Sequence, residues 1–222
     1  MDLEKLKGKL IVSCQALDDE PLHSSFIMGR MALAAKAGGA SGIRAQSVED
    51  IKEIQKQVDL PIIGIIKRSY PDSEVYITPT KKEVEELIAS KCEIIALDTT
   101  NRQRPNDESL EDLLKLIHDN NRLAMADCST VEECKNALDL GFDIISTTLF
   151  GYTSYSNDFS GPDFKSIKKI VEISDKPVIA EGKINTPEDL RKVFECGVFA
   201  AVVGSAITRP QLITRKFADV LK

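Results

Sequence analysis

Six polar or charged side chains close short apolar runs along this chain: Gln15, Arg44, Lys67, Asp98, Asp127 and Glu181. A lysine and several carboxylates placed this way are the ingredients of proton transfer. Ionisable groups pressed against apolar surroundings shift their pKa values toward those useful in an acid or a base. Lys67 ends the run IIGIIK. Burial disfavours its ammonium form, and so does like charge, which Arg44 and Lys183 are placed to supply from other run ends. A partly neutral lysine serves as a general base or as an imine-forming nucleophile. The plainer alternative is a lysine that merely reaches solvent from a strand end. Glu181 lies within VIAEGK, where an unpaired carboxylate is costly, so contact with Lys67 or with ligand hydroxyls is expected. Asp127 in LAMAD follows the same logic. Asp98 in IALDT follows it more weakly, because aspartates often end strands as turn or cap residues. Gln15 offers hydrogen bonds, and the planar fork of Arg44 suits a carboxylate or an oxyanion.

An anion signal lies further along. The segments EGKINTP and VVGSAITRP each put glycine where an apolar run meets a helix start, so backbone N–H groups there can face a phosphate. Gly204 and Ser205 belong to the second segment, and Arg209 adds a direct charge-assisted contact. His23 falls in the first loop after a run and is a further ligand candidate. His118 sits near a helix C-terminus, where it offsets the dipole. Cys14 and Cys128 lack an adjacent base and read as small buried residues.

What must position these groups is an alternation of apolar runs and amphipathic segments. The strands expected are Leu10 to Ala16, SGIRAQ, Pro61 to Lys67, EIIALDT, Leu123 to Asp127, FDIISTTL, PVIAEGK and FAAVVGSA. The Ile-rich third run lacks polar alternation, as in a parallel strand buried on both faces. Helix starts are marked by Ser24 or Ser25, Ser47, the capping boxes Thr80–Glu83 and Thr130–Glu133, and Thr186-Pro187. The final segment TRPQLITRKFADVLK reads as one helix. The longest loop is FGYTSYSNDFSGPDF, after the sixth run. Eight such units without a linker predict a single-domain α/β protein over residues 1–222, a (β/α)8 TIM barrel closed by right-handed crossovers. The strand-ending polar residues then gather at one mouth. A doubly wound open sheet is the alternative, although SCQALDDE stands where its glycine-rich dinucleotide loop would be.

The 222 residues are 42% hydrophobic and 29% charged, with a net charge of −6. That balance argues against a general nucleic-acid or membrane-surface role, since both need a basic face. A few cations in one cleft still suffice for an anionic small molecule. Five scattered cysteines without CxxC spacing give no metal-ligand pattern, so no metal is expected. With the polar start MDLEKLKGKL, they favour a reducing cytoplasm. A homodimer, paired through loops or helices, is left open.

The segments LIVSCQALDDEPLHSSFIMGRMALAA, GGASGIRAQ, IIGIIKR, ALDTTNRQRP, MAD, TTLFGYTSYS, IAEGKINTPEDL and VVGSAITRP resemble the N-acylglucosamine-6-phosphate 2-epimerase family, also called N-acetylmannosamine-6-phosphate 2-epimerase. The resemblance spans nearly the whole chain. It implies a TIM barrel that interconverts N-acetylmannosamine 6-phosphate and N-acetylglucosamine 6-phosphate in bacterial sialic-acid breakdown, without a redox cofactor. It implies Lys67 and Glu181 as catalytic, Gln15, Arg44 and Asp127 as supporting, and Tyr155 as a sugar contact. Lys183, Gly204, Ser205 and Arg209 would hold phosphate, with Ser205 at a position expected as glycine and Lys183 at one that is often arginine. A Schiff-base lyase or aldolase using Lys67, and a non-catalytic sugar-phosphate sensor, are the rival readings.

Overall fold

A computed structural model describes residues 2–156 and 160–221. Eight parallel strands run in chain order: β1 (Lys9–Cys14), β2 (Gly42–Gln46), β3 (Ile62–Ile65), β4 (Ile94–Asp98), β5 (Leu123–Asp127), β6 (Ile144–Ser146), β7 (Val178–Glu181) and β8 (Ala200–Val203). They close into a barrel, with Lys9 of β1 beside Ala200 of β8. That pairing excludes the open sheet. Helices α1 (Ser25–Ala37), α2 (Val48–Gln57), α3 (Lys81–Ser90), α4 (Leu110–Asp119), α5 (Val131–Leu140), α6 (Phe164–Ile173) and α7 (Pro187–Glu195) follow the first seven strands.

Alternation along each strand divides the core into two. Outward residues such as Val12, Ile43, Ala45, Ile95 and Leu97 pack under the helices. Inward residues such as Ile11, Ile63, Ile94, Met125 and Ile179 fill the barrel, joined by Leu6 from the 3-10 turn Leu3–Leu6. One glycine is required by this packing. A Cβ on Gly64 would lie 2.6 Å from Cys92 Sγ and 3.0 Å from Leu87 Cδ2, so β3 has no room for a side chain beneath α3.

Most of the predicted caps form, although Ser24 stands at the N-cap of α1 without a side-chain cap bond. Ser47 accepts from Asp50 N–H at 3.1 Å, and Thr130 accepts from Glu133 N–H at 3.2 Å while Glu133 accepts from Thr130 N–H at 3.0 Å. Thr186 makes the same reciprocal pair with Asp189, both at 3.0 Å.

Several boundaries differ from expectation. β3 stops at Ile65, two residues short of Lys67. The chain then folds back on itself: Lys67 bridges Ile77 antiparallel, and Thr78 N–H donates to Ile66 O at 2.7 Å. The segment after Lys67 is therefore a returning flap, and Ile77 joins the barrel core. β6 is also shorter than expected, ending at Ser146. The expected eighth strand ends at Val203, and residues after it form a short helix ahead of the last one. α8 (Ser205–Thr208) ends at Arg209, whose φ of −119° and ψ of 79° are not helical, and α9 (Pro210–Ala218) starts afresh. Proline disfavours helical geometry in the residue before it, which puts the break at Arg209. The long loop after β6 includes 157–159, which lie outside the described residues.

Candidate active site

The inward side of several strands changes from apolar to polar as it nears the C-terminal mouth. β1 presents Ile11 and then Ser13, with Gln15 just past its end. β2 presents Arg44 and then Gln46, and β5 presents Met125 and then Asp127. Period-two alternation alone puts these groups on one surface. Of these, Ser13, Gln15, Arg44 and Gln46 line a cavity of about 900 Å³, with Lys67, Glu181, Lys183, Gly204, Ser205 and Arg209 contributing to the same wall, while Asp127 is fully buried behind Arg44.

At its floor lies a buried ion cluster. Arg44, only 1% exposed, forks onto Asp127, with Nη1 donating to Oδ1 at 3.0 Å and Nη2 to Oδ2 at 2.5 Å. Arg44 Nη1 is also 3.0 Å from Glu181 Oε2. The Thr148 hydroxyl stands 2.7 Å from Asp127 Oδ1 and 3.2 Å from Glu181 Oε2, with Ser146 Oγ 2.8 Å behind it. Burial alone would disfavour a charged guanidinium here, but Asp127 and Glu181 more than offset it and hold Arg44 ionised. Burial also pushes the Glu181 carboxyl above its ordinary range. The negative charge of Asp127 adds to that push, against the opposing pull of Arg44 and Lys67.

Lys67 is half-buried at the same mouth. Burial first, then the positive charges of Arg44 and Arg209, lower its pKa to about 8, while Glu181 and Glu20 oppose the shift. Arg44 supplies like charge as expected, and Arg209 joins it. An amine in this range is partly neutral near physiological pH and can accept a proton. Gln15 Nε2 donates to Ser13 Oγ at 2.8 Å, and its buried Oε1 has no partner among the described residues, as is true of Arg44 Nε. Both atoms are buried, and each has a hydrogen bond still to make.

The anion corner forms where β7 and β8 end. Gly182 has φ +102°, and Lys183 φ 55°, a turn that glycine permits and that carries Lys183 back over the cavity, its Nζ 5.3 Å from the Tyr152 ring centroid. Gly204 precedes α8, and Ser205 is exposed at its first position. Arg209 is placed at the wall but already engaged. Its Nε and Nη2 donate to Glu20 at 2.8 and 2.9 Å, leaving Nη1 near Ser205 Oγ at 3.3 Å.

The other sequence candidates lie elsewhere. Tyr155 does not line the cavity: its hydroxyl donates to Glu133 at 2.6 Å, behind β5, and Tyr152 of the same loop faces the cavity instead. That placement has a local cause, since Glu133 is a buried carboxylate that gathers donors from Asn101, Ser129, Thr130 and Tyr155. Asp98 is fully buried, and its Oδ2 accepts from Arg102 Nη2 at 2.6 Å. His23 lies 3.4 Å from Asp18, outside the cavity lining, and His118 lies 2.9 Å from Asp143. Burial pushes the Cys14 thiol up to about 12, so it is inert. Among the described residues no three His, Cys, Asp or Glu side chains are grouped as metal ligands would be.

Sequence reasoning missed Thr148, Glu20 and Tyr76. Thr148 had a usable signal, because period two from Ser146 points it inward. Glu20 sits in a loop with no such period, and Tyr76 reaches the cavity only because the flap folds back.

A parallel barrel whose C-terminal mouth joins a depressed-pKa lysine to a buried arginine–carboxylate cluster defines an acid–base enzyme of the (β/α)8 class. The family is more particular. Residues 28–222 match the family model NanE, described as "Putative N-acetylmannosamine-6-phosphate epimerase", and the chain belongs to that family. It is similar to a Clostridioides difficile (strain 630) protein described as "Putative N-acetylmannosamine-6-phosphate 2-epimerase", at 62% identity over 220 residues and 99% of each chain. A Listeria monocytogenes serotype 4b protein with the same description is 51% identical, covering 99% of this chain and 97% of its own. The solved structure of the N-acetylmannosamine-6-phosphate 2-epimerase from Clostridium perfringens superposes with a TM-score of 0.97 at 60% identity, over 99% of this chain and 96% of that one. A thiamine phosphate pyrophosphorylase from Pyrococcus furiosus, at TM-score 0.62 and 22% identity over 93% and 89% of the two chains, shares the fold.

Proposed function

We propose that this chain, as one catalytic domain over residues 1–222, epimerises C2 of N-acetylmannosamine 6-phosphate to give N-acetylglucosamine 6-phosphate. The observation that carries the reading is the half-buried Lys67, lowered to about 8, sharing one cavity with Arg44 and Glu181, which Asp127 backs from below. The full-length relatives named as 2-epimerases point to the same substrate pair. Neutral Lys67 removes the C2 proton, and Gln15 and Arg44 stabilise the charge that builds on the neighbouring oxygen. A proton then returns to the opposite face. Glu181 and Asp127 orient the sugar and the base. Lys183, Gly204, Ser205 and Arg209 hold the phosphate, and Tyr155 is assigned a sugar contact that requires it to leave Glu133.

No redox step is involved, since C2 is inverted by loss and gain of a proton. The place of this reaction is the breakdown of sialic acid and related amino sugars in the cytoplasm, where five free cysteines stay reduced. A homodimer is supported by α9, which buries no residue of its own and ends beside the exposed Phe217, Val220 and Leu221. Running the conversion in deuterated water and reading C2 by proton NMR tests the chemistry: deuterium enters C2 of product, and full retention of protium there refutes the mechanism.

A further inference from the structure

The floor of the cavity contains more proton-bearing groups than the proposed reaction has so far used. Thr148 Oγ1 lies between two carboxylates, 2.7 Å from Asp127 Oδ1 and 3.2 Å from Glu181 Oε2. A hydroxyl has one proton to give and two lone pairs to offer. At these distances the proton belongs on the Asp127 side. Asp127 is also the carboxylate that takes the Arg44 fork, at 3.0 and 2.5 Å, and so is the stronger claimant for negative charge. Glu181 has only the edge of Arg44, 3.0 Å away. What Thr148 then turns toward Glu181 is a lone pair. A lone pair facing an ionised carboxylate oxygen is repulsive, whereas one facing a carboxylic acid O–H accepts a hydrogen bond.

We infer that Thr148 is a positioning residue: by committing its proton to Asp127, it holds Glu181 as a neutral acid whose hydrogen is directed within the site. The chain of donors runs from Glu181 O–H to Thr148 and from Thr148 O–H to Asp127, with Arg44 closing the charge on the far side. Ser146 Oγ, 2.8 Å from Thr148, occupies the remaining lone pair and fixes the hydroxyl's rotation. The charged groups facing Glu181 are Arg44 from β2, Lys67 from beyond β3 and Asp127 from β5. Burial and Asp127 favour the neutral carboxyl, whereas Arg44, Lys67 and a hydroxyl proton turned from Thr148 toward Glu181 favour the ionised one. The shorter distance to Asp127 assigns that hydroxyl proton away from Glu181. A neutral Glu181 can turn its proton from Thr148 to a substrate oxygen as negative charge builds there, which an ionised one cannot. This last consequence rests on the epimerase reading. The Thr148–Glu181 pairing does not, because it exists without substrate.

Infrared difference spectroscopy of the intact enzyme tests the pairing without turnover. Subtracting the Glu181→Gln spectrum from that of the unsubstituted protein isolates the Glu181 carboxyl, whose protonated and ionised forms absorb separately. At pH 7 the protonated band is present. Thr148→Val removes the hydroxyl at nearly constant volume and lowers the Glu181 titration midpoint by about one pH unit, the worth of one hydrogen bond to the neutral form. Thr148→Ser keeps the midpoint where it was. In turnover, Thr148→Val lowers kcat with little change in KM. A midpoint that rises in Thr148→Val means the hydroxyl donates to ionised Glu181, and an unmoved one means that it does neither; both overturn the inference. Absence of the protonated band at pH 7 overturns it as well, and that measurement needs no Thr148 variant to fold. Loss of the C2 exchange test alone, with the midpoint shift intact, would refute the epimerase chemistry and leave the pairing standing.

Discussion

The pH dependence of the reaction follows from one number, the Lys67 pKa of about 8. A lysine with the ordinary value of about 10.4 is neutral in roughly one molecule in 2,500 at pH 7. At about 8 the neutral share is near one in eleven, a gain of roughly 200-fold in active base. The direction is set by physical causes: burial removes solvent from the ammonium, and Arg44 and Arg209 repel it. Because the neutral form is the base, kcat/KM rises about tenfold per pH unit below 8 and levels off above it. Measured between pH 7 and 9.5, the rise is not confused with the phosphate, whose second ionisation lies near ~6. Epimerisation can be followed by NMR of the two anomeric patterns, free of coupling enzymes with pH optima of their own. The structure adds a sign to a second perturbation. Glu20 acts on Lys67 as a counter-charge that raises its pKa, so Glu20→Gln moves the midpoint to lower pH. A profile flat from pH 7 to 9, or one that keeps climbing toward 10.4, refutes the assignment of Lys67 as the base. A Glu20→Gln midpoint that moves upward refutes the electrostatic account of the shift.

Asp127→Asn takes from buried Arg44 the carboxylate it forks onto, and urea unfolding should show a loss of about 3–5 kcal/mol, the usual cost of breaking a buried pair. An unchanged midpoint would mean that Glu181 and water compensate fully. Gly64→Ala puts a methyl group against Cys92 and Leu87, so a loss of about 1–3 kcal/mol in the same assay is expected, and a neutral result would show that α3 can move aside. Arg209→Ala should raise KM for the sugar phosphate about tenfold or more and weaken inhibition by inorganic phosphate, at a cost of about 1.5–3 kcal/mol for a charge-assisted bond. KM unchanged would place the phosphate away from Arg209 and make its pairing with Glu20 its whole role.

Much of the fold is readable without coordinates because βα alternation is a local pattern. Each apolar run needs two covered faces, each amphipathic segment supplies one cover, and caps at Ser47, Thr130 and Thr186 mark where helices begin. The inward-facing positions of Gln15, Arg44, Asp127 and Glu181 are equally local, since period-two alternation turns them to one side of the barrel, whether at a strand end like Asp127 and Glu181 or one inward step before it like Arg44. Boundaries were less legible where long-range contacts override propensity. β3 gives up Ile66 and Lys67 because the flap returns to pair with them, and no periodicity within IIGIIK announces that.

Partnership is a different matter. Arg44 and Asp127 are 83 residues apart and meet only because barrel closure and strand register bring β2 and β5 across one lumen. The same closure brings Thr148 between Asp127 and Glu181, turns Arg209 onto Glu20, and exchanges Tyr155 for Tyr152 at the cavity wall. Residue types and their spacing were enough to say that a base, a cation and carboxylates share a mouth. Which carboxylate takes the arginine fork, and how strongly burial depresses the lysine, depends on distances and desolvation that exist only once the eight strands have closed.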